Sequence, residues 1–308
     1  MTKQKLLFFL LLLMGMVQRA MAQEPYAVLN DDNTVLTFYY DTQKTARNGM
    51  SVGPFEKNTV SWYAQRETIT TVVFDDSFAG CTSLTSTAYW FRYCAWITAI
   101  IGIKNLKTDN VTSMCSMFKE SCSGLTTLDL SGFNTEKVTD MNDMFDDCKS
   151  LTSLDVSGFN TSNVTNMGSM FSGCSSLTSL DLSNFDISNV ESISHMFIGC
   201  SALKTIYANE EKWSTAKVTR GDDVFKHCTS LVGGSGTAYD ASHTDHEYAR
   251  IDKQGQPGYL TQKEATGIEK LSTAPSQGEG AWYTLDGRRV ETPTKGINVK
   301  NGRKVVVK

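Results

Sequence analysis

The sequence is short of the groups that catalysis and metal binding most often use. Histidine occurs only four times in 308 residues, as His195, His227, His243 and His246. There is no HExxH pair and no GxxxxGK[ST] phosphate loop. The stretch His243-Thr-Asp-His246-Glu247 comes closest to a metal motif, but it lacks helical periodicity and reads as a solvated loop. The 8 Cys include no CxxC pair, so the usual framework of a structural zinc site is missing. Basic charge is not in excess either: the formal net charge is −4, whereas a nucleic-acid partner calls for a basic face. Beyond the first segment no apolar run is long enough to span a bilayer. No Cys precedes Cys81, so no lipid anchor on an N-terminal Cys is expected. These absences lead us to expect no enzyme, no metal and no cofactor.

What is present begins with a targeting signal. Lys3 and Lys5 precede an apolar run from Leu6 to Val17, and Ala20-Met21-Ala22 sets small residues before Gln23. Residues 1–22 read as a secretory signal peptide cleaved after Ala22. Cleavage takes away Lys3, Lys5 and Arg19 and leaves 26 basic and 33 acidic residues, a net charge of −7. The expected location is secreted or at the outer cell surface, with no transmembrane segment in the mature chain.

The body of the chain repeats itself. Residues 151–176 read LTSLDVSGFNTSNVTNMGSMFSGCSS, and residues 177–202 read LTSLDLSNFDISNVESISHMFIGCSA. A Phe followed closely by a Cys marks each copy: Phe91/Cys94, Phe118/Cys122, Phe145/Cys148, Phe171/Cys174, Phe197/Cys200 and Phe225/Cys228. Successive Phe positions lie 27, 27, 26, 26 and 28 residues apart. Phe78/Cys81 is an irregular earlier copy. Each copy carries an LxxLxL run, such as Leu125/Leu128/Leu130, Leu151/Leu154/Val156 and Leu177/Leu180/Leu182, which predicts a short strand. A second part is apolar at about every third residue, as in Val138/Met141/Met144/Phe145, which predicts a short helix or 3₁₀ turn. One such unit cannot bury its apolar face alone, and stacking copies can. The expected fold class is therefore an α/β repeat, a leucine-rich-type solenoid of about six turns of 26–28 residues. A β-rich N-terminal cap spans 23–77 and the repeat array 78–230. A closing cap follows at 231–265, a polar linker at 266–280, and a small basic β module at 281–308.

The unit at 151–176 resembles the BspA-like leucine-rich-repeat surface proteins of anaerobic Gram-negative bacteria, as do Thr85-Ser-Thr-Ala-Tyr-Trp-Phe91 and Leu231-Val-Gly-Gly234. The resemblance covers roughly residues 24–262. It implies an exported, non-catalytic repeat protein used for attachment, binding host-matrix or bacterial surface proteins, and it carries over no catalytic residue. The stretches Tyr283-Thr-Leu-Asp-Gly-Arg-Arg-Val290 and Lys295-Gly-Ile-Asn-Val-Lys-Asn-Gly-Arg-Lys-Val-Val-Val-Lys308 resemble C-terminal sorting domains of exported proteins. That resemblance implies recognition by an outer-membrane secretion machinery.

Three sets of side chains stand out as candidates. Cys94, Cys122, Cys148, Cys174, Cys200 and Cys228 recur once per unit, and a buried ladder of small side chains fits them better than disulfide staples or metal ligands. Cys115 is out of register, and a bond to Cys122 is the alternative for that pair. Asp129, Asp155 and Asp181 fall at one position of the LxxLxL run, so they form a carboxylate column on the strand face beside Thr152, Ser153, Thr178 and Ser179. These are the candidate ligand-binding residues, but hydrogen bonding of each Asp to neighbouring backbone and side-chain donors is the plainer reading, with ligand or Ca²⁺ contact as the alternative. Aromatics gather at the start of the array: Tyr39, Tyr40, Trp62, Tyr63, Tyr89, Trp90, Phe91, Tyr93 and Trp96. They fit core packing of the cap, with glycan binding as the alternative.

Overall fold

The structure, a computed structural model, describes residues 22–57, 59–121 and 124–263, together with the strands between 282 and 307. Apart from Ala22 the signal peptide lies outside the described residues, as do the linker over 266–280 and Cys122. The chain divides into two compact units, Met1–Gln262 and Lys263–Lys308.

The first unit opens with a hairpin. β1 (Glu24–Leu29) pairs antiparallel with β2 (Val35–Asp41), and Asn30 Oδ1 accepts from Thr34 N and Val35 N to fix the turn. β2 then pairs in parallel with β3 (Thr71–Phe74), and β3 with β4 (Ala99–Ile101). A second sheet, also parallel, joins β5 (Ser179–Asp181), β6 (Thr205–Ala208) and β7 (Leu260–Gln262). The second unit is a four-stranded antiparallel sheet. Its strands β8 (Trp282–Tyr283), β9 (Arg289–Val290), β10 (Gly296–Lys300) and β11 (Arg303–Val307) lie in the order β11-β10-β8-β9.

The expected α/β leucine-rich solenoid is not what forms. Among the described residues there is no α-helix, only four 3₁₀ segments of three to five residues, and the sheets are small. The reason lies in the backbone of the Met-Phe segments. Asp143 and Asp147 hold left-handed φ values of +55° and +58°, as do Ser116 and Glu120 in the copy before at +53° and +54°. A right-handed helix cannot pass through a residue with positive φ. Instead, Met144, Asp146 and Cys148 donate their N–H three residues back, to Met141, Asp143 and Phe145. The amides between them turn sideways: Met141, Asp143, Phe145 and Asp147 donate to Asn166, Gly168, Met170 and Ser172 of the next copy. The same four-bond ladder joins Thr87–Tyr93 to Ser113–Lys119 and, further on, Ile193–Gly199 to Arg220–Lys226. Three-residue apolar spacing thus reflects successive tight turns, not helix.

The strands are also fewer than the LxxLxL runs. Ladders form where Ile100-Ile101 or Ile206-Tyr207 bring β-branched and aromatic residues to the pairing. The Thr- and Asp-rich copies at 125–130 and 151–156 form no strand, and a single backbone bond, Thr152 N to Thr126 O, is formed between them. Their leucines are nevertheless buried.

The core runs through all the copies. Phe118, Phe145, Phe171, Phe197 and Phe225 are fully buried and stack in parallel, with ring centroids 5.7–5.8 Å apart and interplanar angles of at most 11°. Phe91 tilts by 32° at the head of the stack, where Phe38, Trp62, Phe74, Phe78 and Trp90 close the open end. The Trp62 indole donates to Trp90 O at 2.7 Å and that of Trp90 to Val52 O at 3.1 Å, so both buried indoles are satisfied. Tyr259 meets Phe225 edge-on at 5.1 Å and closes the other end.

Candidate binding face

Most of the repeated polar side chains are committed to holding one copy on the next. The thiols of Cys148, Cys174, Cys200 and Cys228 are buried and donate to the carbonyls of Phe118, Phe145, Phe171 and Phe197, 2.9–3.3 Å away in the preceding copy. Burial pushes the Cys94 and Cys228 thiols up to about 12, and Cys200 also well above the ordinary thiol range. These are protonated, apolar-like side chains rather than nucleophiles. The residue three after Phe118 is Ser121, not Cys122. Its buried hydroxyl donates to Phe118 O at 2.7 Å, so a serine interrupts the thiol column. The signal was present in the sequence, since Phe and Cys are three apart in every other copy. Cys115 is half-buried and unpaired, against Tyr89 Oη and Ser116 Oγ.

Threonines make a second set of joints. The buried Thr161 hydroxyl accepts from Asp186 N at 2.8 Å and donates to Asp186 O at 3.0 Å. Thr108 and Thr135 do the same for Asn134 and Asn160. The exposed Thr112, Thr139 and Thr165 each bond the carbonyl of the same column in the preceding copy, through backbone and hydroxyl alike.

What these joints leave open is the outer side of the LxxLxL segments; of the three that carry Asp, only the one at 177–182 forms a strand. Asp129 and Asp155 are exposed and Asp181 is half-buried. Each accepts the N–H two residues on, from Ser131, Ser157 and Ser183, at 2.9–3.1 Å. The Ser131 and Ser157 hydroxyls first, and then these N–H groups, hold the Asp129 and Asp155 carboxyls below their ordinary value, and for Asp155 they outweigh the charges of Asp181 and Asp129 beside it. Thr152, Ser153, Thr178 and Ser179 are exposed next to them. At one end register extends this row; at the other, Ile101 holds, seven residues after Cys94, the place that Asp155 holds after Cys148. Asp181 pairs with Tyr207 on β6, and Thr37, Val73 and Ile101 align across β2, β3 and β4. Ile101 is 55% exposed and Trp96, just before β4, is 64% exposed.

The other aromatics at the head of the array are not free for a ligand. Trp62, Trp90 and Phe91 are core. Tyr39, Tyr63 and Tyr93 are half-buried and covered by the guanidinium groups of Arg47, Arg66 and Arg92 at 4.2–4.4 Å. The histidines do not converge: His195 faces Asp222 and Asp223, His243 faces Asp240, and His246 faces Glu247. Among the described residues no group of three or more His, Cys, Asp or Glu could hold a metal ion. One pattern is easily passed over in the sequence. Gly49-Met50-Ser51-Val52-Gly53 has the letters of a GxSxG nucleophile elbow. It lacks the strand-turn-helix setting: Met50 bridges to Ala27, and the Ser51 hydroxyl accepts from Gly53 N.

No helix among the described residues is long and apolar enough to cross a membrane. No curated protein and no solved structure matches the chain. Residues 80–153 and, overlapping them, residues 121–234 match a family described as Mycoplasma protein of unknown function, DUF285. Together these matches take in just over half of the 308 residues and all of the stacked copies, and the chain belongs to that family.

Proposed function

We propose that the chain is an exported, non-catalytic binding and adhesion module that engages host-matrix or bacterial surface proteins through its outer strand face. The observation that carries this reading is the division of labour among its side chains. The repeated Phe, Cys, Met and buried Thr positions are consumed by joints between copies, while the LxxLxL side and the turn before β4 leave Trp96, Ile101, Asp129 and Asp155 exposed and Asp181 and Tyr207 half-exposed. A scaffold that spends its repeats internally and varies its exposed row is suited to recognition rather than turnover. The resemblance of residues 151–176 to BspA-like surface proteins supports the same reading, and the signal-like residues 1–22 support export. The end at 281–308, with its likeness to sorting domains, fits delivery to the outer surface by a secretion machinery. A glycan ligand is the weaker reading, because among the described tryptophans only Trp96 is exposed enough to serve as a platform.

The test combines location and contact. Cell fractionation with mass spectrometry of both mature termini is expected to find the chain outside the cytoplasm, beginning at Gln23. Purified full-length protein is expected to bind immobilised matrix or bacterial surface proteins, and a Trp96→Ala, Ile101→Ser variant to bind them less. Retention in the cytoplasm, or signal from glycan arrays alone, would overturn the proposal.

A further inference from the structure

The strand face has a composition that narrows its partner. Trp96 and Ile101 are the large apolar side chains that stand more than half exposed among the described residues, and only four residues separate them. Ile101 continues the row of Thr37 and Val73 on the sheet, and Trp96 lies in the turn that leads into β4. Beyond it in the array come three carboxylates in one column. Asp155 lies within electrostatic reach of both Asp129 and Asp181. Asp129 and Asp155 form no ion pair within the described residues; their hydrogen-bond partners are the Ser131 and Ser157 amides. The hydroxyls of these two serines, and then their amides, keep both carboxylates ionised and hold them in place. The neighbouring Thr152, Ser153, Thr178 and Ser179 are uncharged, and the first basic residue in the hydroxyl column is Lys204, whose N–H bonds Thr178 O.

We infer that this face docks a cationic, partly apolar segment of a protein partner, with an apolar side chain on Trp96 and Ile101 and lysine or arginine side chains along Asp129, Asp155 and Asp181. The inference rests on the proposed binding role of the strand face and names its partner's chemistry. Charge complementarity selects the occupant. Like charges stacked in one column repel, and a cationic partner relieves that repulsion where a neutral glycan gains nothing from it and an acidic partner adds to it. A large exposed aromatic beside an aliphatic side chain supplies the anchor that charge alone does not. Exposed carboxylates act over about a Debye length, so salt weakens the association and slows its formation.

The test uses the full-length protein and two immobilised synthetic peptides, one alternating lysine with leucine and one alternating glutamate with leucine. The lysine peptide is expected to bind, with affinity that falls as salt rises, and the glutamate peptide is not. Asp129→Asn, Asp155→Asn and Asp181→Asn together keep an oxygen acceptor for the serine amides and are expected to abolish the salt dependence. Trp96→Ala is expected to weaken binding about tenfold or more. Thermal unfolding of each variant reports that the fold is kept, and a variant that unfolds is replaced by Asp155→Asn alone. Equal binding of both peptides, or lysine-peptide binding indifferent to the three Asn substitutions, overturns the inference. Attachment to a surface protein that depends on Trp96 but not on the carboxylates overturns the cationic partner and leaves the strand face as the binding surface. Attachment indifferent to both sets removes the strand-face role itself.

Discussion

Glu120 and Gly173 occupy equivalent places two residues after the Phe of their copies, and both hold left-handed backbone, at φ +54° and +66°. Glycine adopts that region freely; a side chain there costs about 1 kcal/mol. Glu120 also crowds Asp147 and Asp146, and burial first, then those charges, raise its pKa. Glu120→Gly is therefore expected to stabilise the protein by up to about 1 kcal/mol. Gly173→Ala is expected to do the reverse and by more, because the added Cβ meets Asp147 Oδ1 as well as the unfavourable φ. Urea denaturation midpoints for the two variants check both signs. The same positions explain what the sequence concealed. Two copies write glycine at this turn, Gly173 and Gly199, but the others write Tyr93, Glu120, Asp147 and His227, and nothing in those letters announces a positive φ. Of the two expected readings of three-residue apolar spacing, short helix or 3₁₀ turn, the helix fails on that point and i→i+3 turns form instead.

At the scale of the elements, the closing cap depends on one buried carboxylate. Asp252 accepts from Ser235 N and Thr237 N at 2.8 and 3.0 Å, from Thr237 Oγ1 at 2.7 Å and from Gly258 N at 3.3 Å. Burial acts to raise its pKa, and these donors outweigh burial and lower it below the ordinary value. A carboxyl depressed in the folded state contributes stability that is complete above its unfolded value of about 3.9 and is lost as pH falls through its folded value. Asp252→Asn removes that dependence and leaves donors facing an amide. The variant is expected to be less stable at neutral pH and to lose less on acidification than the parent, as thermal unfolding from pH 6 to pH 3 would record; parallel losses in both proteins would contradict this role. The strand elements were partly legible in the sequence. The β-rich stretches at 24–29, 35–41 and 71–74 carry the alternation and the β-branched residues that strands need, and they are strands. The LxxLxL runs at 125–130 and 151–156 have the leucine spacing without the flanking β-formers, and the leucines bury without a ladder.

For the whole molecule, the period was legible and its conformation was not. The Phe spacing of 26–28 residues reappears as the offset between bonded copies, because a residue can stack on its counterpart only if each copy has nearly the same length. The candidate Asp column was legible for the same reason, through the shared position of Asp129, Asp155 and Asp181. Trp96 and Ile101 were less so: Ile101's exposure depends on which side of β4 the chain presents, Trp96 sits in the turn before it, and spacing reveals neither for a strand of three residues. Thr161 shows the opposite case. Nothing in its replacement by Ile187 in the next copy shows that both side chains are buried at a joint between copies.

The central claim is that alternate amides of each Met-Phe segment bond the next copy and not their own. Scalar couplings measured by NMR across N–H···O=C bonds test it directly. The account predicts couplings from Asp143 to Gly168, Phe145 to Met170 and Asp147 to Ser172. Couplings from those three amides to carbonyls four residues earlier in their own segment would mean a helix, and would contradict it.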